Sequence, residues 1–422
     1  MLVIQYDHMT EKSKKVSTEP YKGVRDFYPE DMAVQKYIFG VWRKVSEQFG
    51  YEEYAASILE PTELYASKTS DEIVNEQTYT FTDRGERSVT LRPEMTPSVA
   101  RMVAARKREL AFPLRWYSIQ NFFRYERPQR GRVREFWQLN ADMFGVNSID
   151  ADVEIISLAY HIMKAFGAND EDFQIRINHR DLLQERILHM LRDQSSLPQA
   201  IRLIDKKQKM SSETFAEAWA TLSNVPFVFE TQKKAEVITR LESRGIRNVV
   251  LDELLARGFD YYTGMVFEVF DTNPENNRSI FGGGRYDRLL ELFGDEVVPA
   301  VGFGLGDVTM RDFLETHKLL PAHISETDIL ICPVNEESVE LASELADEFR
   351  KQGVSVAVYL GTKKIGDQIS LANKKKIPFV VAVGLEEKER NEFTLKELKT
   401  GREELVQNRD IVGPLRRCGF KI

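Results

Sequence analysis

FRYERPQRGRVREF, running from Phe123 to Phe136, is the stretch on which the reading of this chain turns. It joins two apolar, β-rich runs, Leu114 to Phe123 and Glu135 to Phe144, and together they predict an antiparallel pair of strands. The joining loop holds Arg124, Arg127, Arg130, Arg132 and Arg134, with Glu126 and Glu135 beside them. Five guanidiniums within eleven residues repel one another unless an anion or a carboxylate gathers them. The planar guanidinium fork suits phosphate in a bidentate way. A nucleoside triphosphate or an RNA end would account for the loop; a solvated charged loop is the plain alternative.

Upstream, Val34, Tyr37, Ile38, Val41, Trp42, Val45 and Phe49 recur at intervals of three and four after Pro29, which predicts an amphipathic helix stopped by Gly50. Thr78–Thr82 and Ser88–Leu91 flank an Asp-Arg-Gly-Glu turn and read as a hairpin. Residues from about 170 to 248 are charged and helical, an expected insertion, before Gly-rich β sequence returns from Val249 to Asp307. Neighbouring strands with long loops predict an α+β core over residues 20–325, an antiparallel sheet flanked by helices. After Pro321 the pattern becomes β-α-β-α-β, which predicts a separate C-terminal α/β domain with a parallel sheet over 326–422. Residues 1–19 read as a disordered tail.

Composition narrows the function classes. The chain has 422 residues and a formal charge of −8, which argues against a protein that coats nucleic acid indiscriminately. From Lys351 to Ile422, however, 15 Lys and Arg face 9 Asp and Glu, a net +6 on an otherwise acidic body. A basic module at one end suggests a polyanionic partner. No apolar run reaches the roughly 20 residues that span a bilayer, so no membrane association is expected. Cys332 and Cys418 lie far apart and form no metal knuckle. No bound metal is expected, and a reduced, cytoplasmic setting fits.

Three further runs carry chemistry. Leu91-Arg92-Pro93-Glu94-Met95-Thr96-Pro97 ends a strand, where Glu94 and Thr96, two apart, would point the same way toward one ammonium group. A capping role for Thr96 before a helix from Ser98 to Arg106 explains it nearly as well. Leu255 to Gly264 places Arg257, Asp260, Tyr261 and Tyr262 among glycines, and Phe281 to Asp287 places three glycines before Arg285, Tyr286 and Asp287. Glycine runs let backbone approach a ligand closely, or mark a tight bulge. No Walker-type loop occurs.

These residues match a family pattern. Phe123–Phe136 resembles motif 2 of class II aminoacyl-tRNA synthetases, and Arg257–Gly264 and Gly283–Asp287 resemble the two peptides peculiar to histidyl-tRNA synthetases. The resemblance runs from about Gly23 to Arg417. It implies a homodimer, with motif 1 on the helix Asp31–Gly50, a helical insertion contacting tRNA, and a C-terminal anticodon-binding domain. It implies that Glu94, Thr96 and Gln138 hold the α-amino group of L-histidine, and that Asp142 and Tyr262 meet the imidazole, with Tyr261 and Tyr286 beside them. Arg124 would grip the ATP α-phosphate and Arg257 would neutralise charge there as the histidine carboxylate attacks. Glu126, Arg132, Arg134 and Arg285 would complete the ATP site, with Mg2+ on the pyrophosphate oxygens. Histidine would then pass to the terminal adenosine of its tRNA.

Two positions depart from the pattern. Ser57 stands at the motif 1 proline, and Thr309 stands where motif 3 carries an arginine for the γ-phosphate. Arg311 lies roughly 200° around the helix from position 309, which points to Arg132 or Arg134 as the replacement. The rival readings are a catalytically silent regulatory relative that senses histidine, an RNA-binding module, and a synthetase for another amino acid. Retention of the Arg257 run and of the C-terminal domain weighs against the first, Glu94, Gln138 and Arg257 together weigh against the second, and the Arg257–Gly264 run and the absence of Cys/His metal ligands in the core weigh against the third.

Overall fold

The computed structural model describes residues 16–66, 77–127, 129, 131–205, 207, 210–227, 236–253, 255, 261–276, 278–294, 297–322, 325–407 and 409–420. Arg257, Asp260, Arg130 and most of the expected tail lie outside them. The chain divides into two compact units, Met1–Leu320 and Pro321–Ile422.

The strands of the first unit are β1 (Glu52–Glu53), β2 (Leu59–Pro61), β3 (Tyr79–Thr82), β4 (Ser88–Leu91), β5 (Leu114–Phe123), β6 (Glu135–Phe144), β7 (Phe173–His179), β8 (Val249–Leu251), β9 (Met265–Asp271), β10 (Ser279–Arg285) and β11 (Ala300–Gly306). Eight form one sheet in the order β1-β5-β6-β11-β10-β9-β7-β8. Its six central strands are antiparallel; β1 on β5 and β8 on β7 add parallel edges, so the sheet is mixed. β5 and β6 pair from Leu114↔Phe144 to Phe123↔Glu135, which puts the arginine loop at one end of the sheet. β2, β4 and β3 make a small separate antiparallel sheet.

The helices of this unit are α1 (Pro29–Gln48), α2 (Glu63–Ala66), α3 (Thr96–Arg106), α4 (Ile149–Ala165), α5 (Arg180–Met190), α6 (Leu197–Asp205), α7 (Ser212–Leu222), α8 (Glu236–Ser243) and α9 (Asp307–Thr316). α1 begins at Pro29, where a missing N–H costs no helical bond, and Glu30 and Asp31 suit the positive end of its dipole. Its apolar stripe, Ile38, Trp42 and Val45, joins Ile155 and Ile162 of α4, Leu241 of α8 and Phe313 of α9 in one core against the main sheet. α3 belongs to a different core, with Phe144, Tyr261, Tyr262 and Tyr286.

The stretch read as helical from 170 is not helical throughout. Phe173, Ile175 and Ile177 alternate inward as strand β7, and Val237, Ile238 and Leu241 of α8 belong to the main core. Only α5, α6 and α7 build a core of their own, around Leu183, Ile187, Phe215 and Trp219.

The second unit comprises β12 (Ile329–Pro333), α10 (Val339–Lys351), β13 (Val356–Val358), α11 (Ile365–Lys374), β14 (Phe379–Val383), α12 (Leu385–Arg390), β15 (Glu392–Glu397), β16 (Glu403–Gln407) and α13 (Val412–Arg417). β12, β13 and β14 form the expected parallel set, and β15 and β16 extend it as an antiparallel hairpin. Among the described residues, no helix of the chain is long and apolar enough to cross a membrane.

Phe349 of α10 is fully buried in the second unit's own core, with Ile331, Leu345 and Val381. Phe349→Ala is expected to lower the stability of this unit by about 3–5 kcal/mol. In a urea titration of the full chain the early transition should move to lower denaturant while histidine activation persists. An unchanged profile would show that this core is not a separate cooperative unit.

Candidate active site

The floor of the site is a matter of strand register. On β6, Gln138, Asn140 and Asp142 are two residues apart and rise from one face. Across from them β11 offers glycines: Gly302 pairs with Asp142, Gly304 with Asn140 and Gly306 with Gln138. A Cβ at Gly302 would collide with the Asp142 carboxylate, and one at Gly304 with the Gln138 amide. A Cβ at Gly283 of β10 would strike the Gly302 backbone. The missing side chains leave a cavity of about 130 Å³ above the sheet. With water occupying about 30 Å³ of liquid, the space suits a small metabolite.

Glu94, Thr96, Arg124, Gln138, Asp142, Tyr261, Tyr262 and Tyr286 all line this one cavity. Thr96 reaches it for a reason other than strand alternation or capping: it is the first residue of α3, and Met95 precedes it in helical conformation. Tyr261 donates to Glu94 Oε2 at 3.0 Å, and Gln138 Nε2 donates to Asn140 Oδ1 at 2.8 Å. Arg124 is aimed by a bond from Nε to the Pro93 carbonyl at 2.9 Å and by the Phe136 ring at 5.3 Å.

Asp142 is the most constrained group. Tyr286 donates to its Oδ1 at 2.6 Å, while Oδ2 is buried with no hydrogen-bond partner among the described residues. Burial pushes its carboxyl up to about 7, against the lowering effect of the Tyr286 bond. Burial also raises Tyr261 and Tyr286 well above the ordinary phenol range, so both stay neutral donors.

The remaining site candidates divide. Glu126 stands between Arg124 at 3.9 Å and Arg132 at 3.6 Å, at the cavity's charged rim. Arg134 is not directed into the cavity. It donates to the Glu126 carbonyl, Tyr21 Oη and the Lys22 carbonyl, lies 3.9 Å over the Tyr125 ring, and gives its backbone N–H to Gly23 at 2.6 Å. Arg285 faces away too. It pairs with Asp152 at 2.7 Å and donates to the Val146 and Ser148 carbonyls at 3.1 and 2.6 Å. A buried guanidinium must place its N–H groups, and these two place them on the protein. Arg285 braces β10 against α4. Thr309 donates to the Ile280 carbonyl at 2.7 Å, and Arg311 is paired with Asp31 and Glu315.

Two residues escaped the sequence reading. Asn140 lines the cavity and orients Gln138; the i, i+2 rule applied to Glu94 and Thr96 would have found it on β6. Asp307, 1% exposed, accepts from Arg25 at 2.8 Å, Gln35 at 3.1 Å and the Trp137 backbone at 2.9 Å, joining the segment before α1, α1 itself and the start of β6. No sequence signal marks it, since its partners are far away in the chain.

The sequence model for histidyl-tRNA synthetase matches residues 23–244 and 184–307, and that for the anticodon binding domain matches 328–417. The chain is 42% identical over 413 residues to the histidine–tRNA ligase of Leptospira biflexa, covering 92% of this chain and 94% of the relative. It is 36% identical to that of Haloarcula marismortui, over 90% and 93%. The crystal structure of histidyl-tRNA synthetase from Nostoc, 22% identical, shares the fold with a TM-score of 0.81 over 96% of this chain and all of that one. With a cavity of this make-up and relatives at this level over nearly the whole length, the chain belongs to the histidyl-tRNA synthetase family.

Proposed function

We propose that the cavity binds L-histidine through the groups that line it and presents the carboxylate to ATP held by Arg124. The observation that carries this reading is Asp142 Oδ2, a buried acceptor with no partner among the described residues. Leaving such a group unsatisfied costs about 1–3 kcal/mol, which an imidazole N–H would recover. Tyr262 meets the other ring nitrogen, while Glu94, Thr96 and Gln138 receive the ammonium group. A ligand without both ring nitrogens leaves buried polar groups unpaired, the arrangement that discriminates by factors of about 10⁴ or more.

The protein is a ligase that aminoacylates tRNA with histidine. A histidine carboxylate oxygen attacks the α-phosphorus, the bond to the β-phosphate breaks, and pyrophosphate leaves. The terminal adenosine hydroxyl of the tRNA then attacks the carbonyl carbon and AMP departs. The cavity contributes orientation and fixed charge. Arg124 stabilises the α-phosphate, and we assign Arg257 as its opposing cation. Glu126 and Arg132 meet the nucleotide at the rim. Mg2+ bound with the triphosphate would neutralise charge on the departing pyrophosphate.

The second unit reads the anticodon. Lys363, Lys364, Lys374, Lys375 and Lys376 are exposed at the two ends of α11, a basic surface suited to a polyanion. We propose a homodimer through α1 and the segment after it, where Tyr28, Met32 and Leu59 are exposed. A cytoplasmic setting fits the two free thiols, Cys332 and Cys418.

ATP–pyrophosphate exchange with each of the twenty amino acids should proceed with histidine alone; exchange with none would favour a histidine-sensing regulator. Asp142→Asn removes the charged acceptor and should raise the KM for histidine roughly ten- to a hundredfold with little change in the KM for ATP. An unchanged KM would remove Asp142 from the site. Gly302→Ala, which drives a methyl into the Asp142 carboxylate, should reproduce the histidine defect in a folded protein.

Asp142 also sets a pH signature. Its folded pKa of about 7 lies above the ordinary carboxyl value, so the folded state holds the proton more tightly. Its ionisation therefore costs stability, increasingly from about pH 4 to pH 7 and constantly above. Asp142→Asn should be more stable than the parent at pH 8, by a few kcal/mol at most, with the gap closing toward pH 4. Urea midpoints across that range decide it, and a gap that widens in acid would refute the assignment.

A further inference from the structure

The triphosphate carries most of its charge beyond the α-phosphate, and few cations of the first unit are placed to meet it. Arg124 lies in the cavity wall. Arg134 and Arg285 are directed into the protein, Arg311 is held between Asp31 at 2.9 Å and Glu315 at 2.8 Å, and position 309 is a threonine bonded to β10. Arg132 is half-exposed beside Glu126.

Arg278 occupies the end of the sheet where the arginine loop turns back. The loop tip is a tight turn closed by two backbone bonds between Gln129 and Arg132, with Gly131 at φ +77°. The Arg278 guanidinium lies so close to Gly131 that a Cβ there would collide with it. From the other side Asp312 forms an ion pair with it, from the α9 turn that follows Thr309. Arg278 immediately precedes β10, and four residues on, Gly282 of that strand lines the cavity, at most about 13 Å away at the rise of a strand. That interval is one that a triphosphate tail and an arginine side chain together can cover. The Asp312 carboxylate fixes the direction of the guanidinium.

We propose that Arg278 binds the terminal phosphate of ATP, with Asp312 as its positioning residue and Gly131 as the loop contact that lets it approach. Arg278 thereby supplies from just before β10 the cation that position 309 lacks. The inference rests on the cavity being the histidine and ATP site.

The test is nucleotide discrimination. Without added histidine, so that ATP is not consumed, binding of ATP, ADP and AMP is measured by calorimetry for the parent protein, Arg278→Ala, Arg278→Lys and Arg132→Ala. The parent should prefer ATP to ADP. Arg278→Ala should shrink that preference roughly ten- to a hundredfold while AMP affinity and the KM for histidine stay within about twofold. Arg278→Lys should recover part of it, and Asp312→Asn should weaken it less than Arg278→Ala. A preference kept in Arg278→Ala overturns the proposal. So does an equal loss for all three nucleotides, which a merely structural ion pair would give, or a loss confined to Arg132→Ala. If Arg278→Ala does not fold, Arg278→Gln is read by the same criteria. A parent protein that binds no ATP and shows no histidine-dependent exchange would instead sink the underlying assignment of the site.

Discussion

Absent side chains hold this active site open. Asp142 and Gln138 rise from β6 into space that any residue but glycine at 302 and 304 would fill, and Gly283 lets β10 close against β11 at the same level. The glycines are needed less for turning than for clearance. Because the strands are hydrogen-bonded in a fixed register, the clearance cannot shift: a slip of one residue would carry Asp142 to the opposite face. The chemistry of the site therefore depends on a sheet whose own stability comes from the helices packed against it.

Buried ions do the rest of the positioning. Arg92, 1% exposed, donates to the Asn121 carbonyl at 2.9 Å, the Ala56 carbonyl at 2.8 Å and Gln120 Oε1 at 2.9 Å, joining the segment before β2 to β5. It also reaches the carbonyl of Ser57 at 3.3 Å. Asp307 and Arg285 act in the same manner, each fixing a strand to a helix. Such groups are costly to bury and costlier to leave unpaired, so each fixes a single arrangement of its neighbours.

The sequence made the elements near the site legible because their patterns are local. The β5–β6 pair, the helix beginning at Pro29 and the first three strands of the second unit follow from periodicity and turn residues. The reach of Glu94, Gln138, Asp142 and Tyr262 into one cavity was carried by family resemblance, since nothing in their spacing brings residues 94, 142 and 262 together. What stayed hidden was of two kinds. β7 and the β15–β16 hairpin lie in charged stretches whose alternation competes with helical propensity. Arg285 resembled a ligand-binding arginine because its partners, Asp152 and the carbonyls of Val146 and Ser148, lie more than a hundred residues earlier.

The segment just before α1 has a further significance. Tyr21 and the carbonyls of Lys22 and Gly23 are bonded to Arg134, and Arg25 is bonded to Asp307, so four residues clasp both the base of the arginine loop and the head of α9. This short strap thus ties the base of the arginine loop to the head of α9 as well as leading into the first helix. Proteolytic trimming or a fusion placed too near it would loosen both anchor points at once, although no residue of the strap lines the cavity.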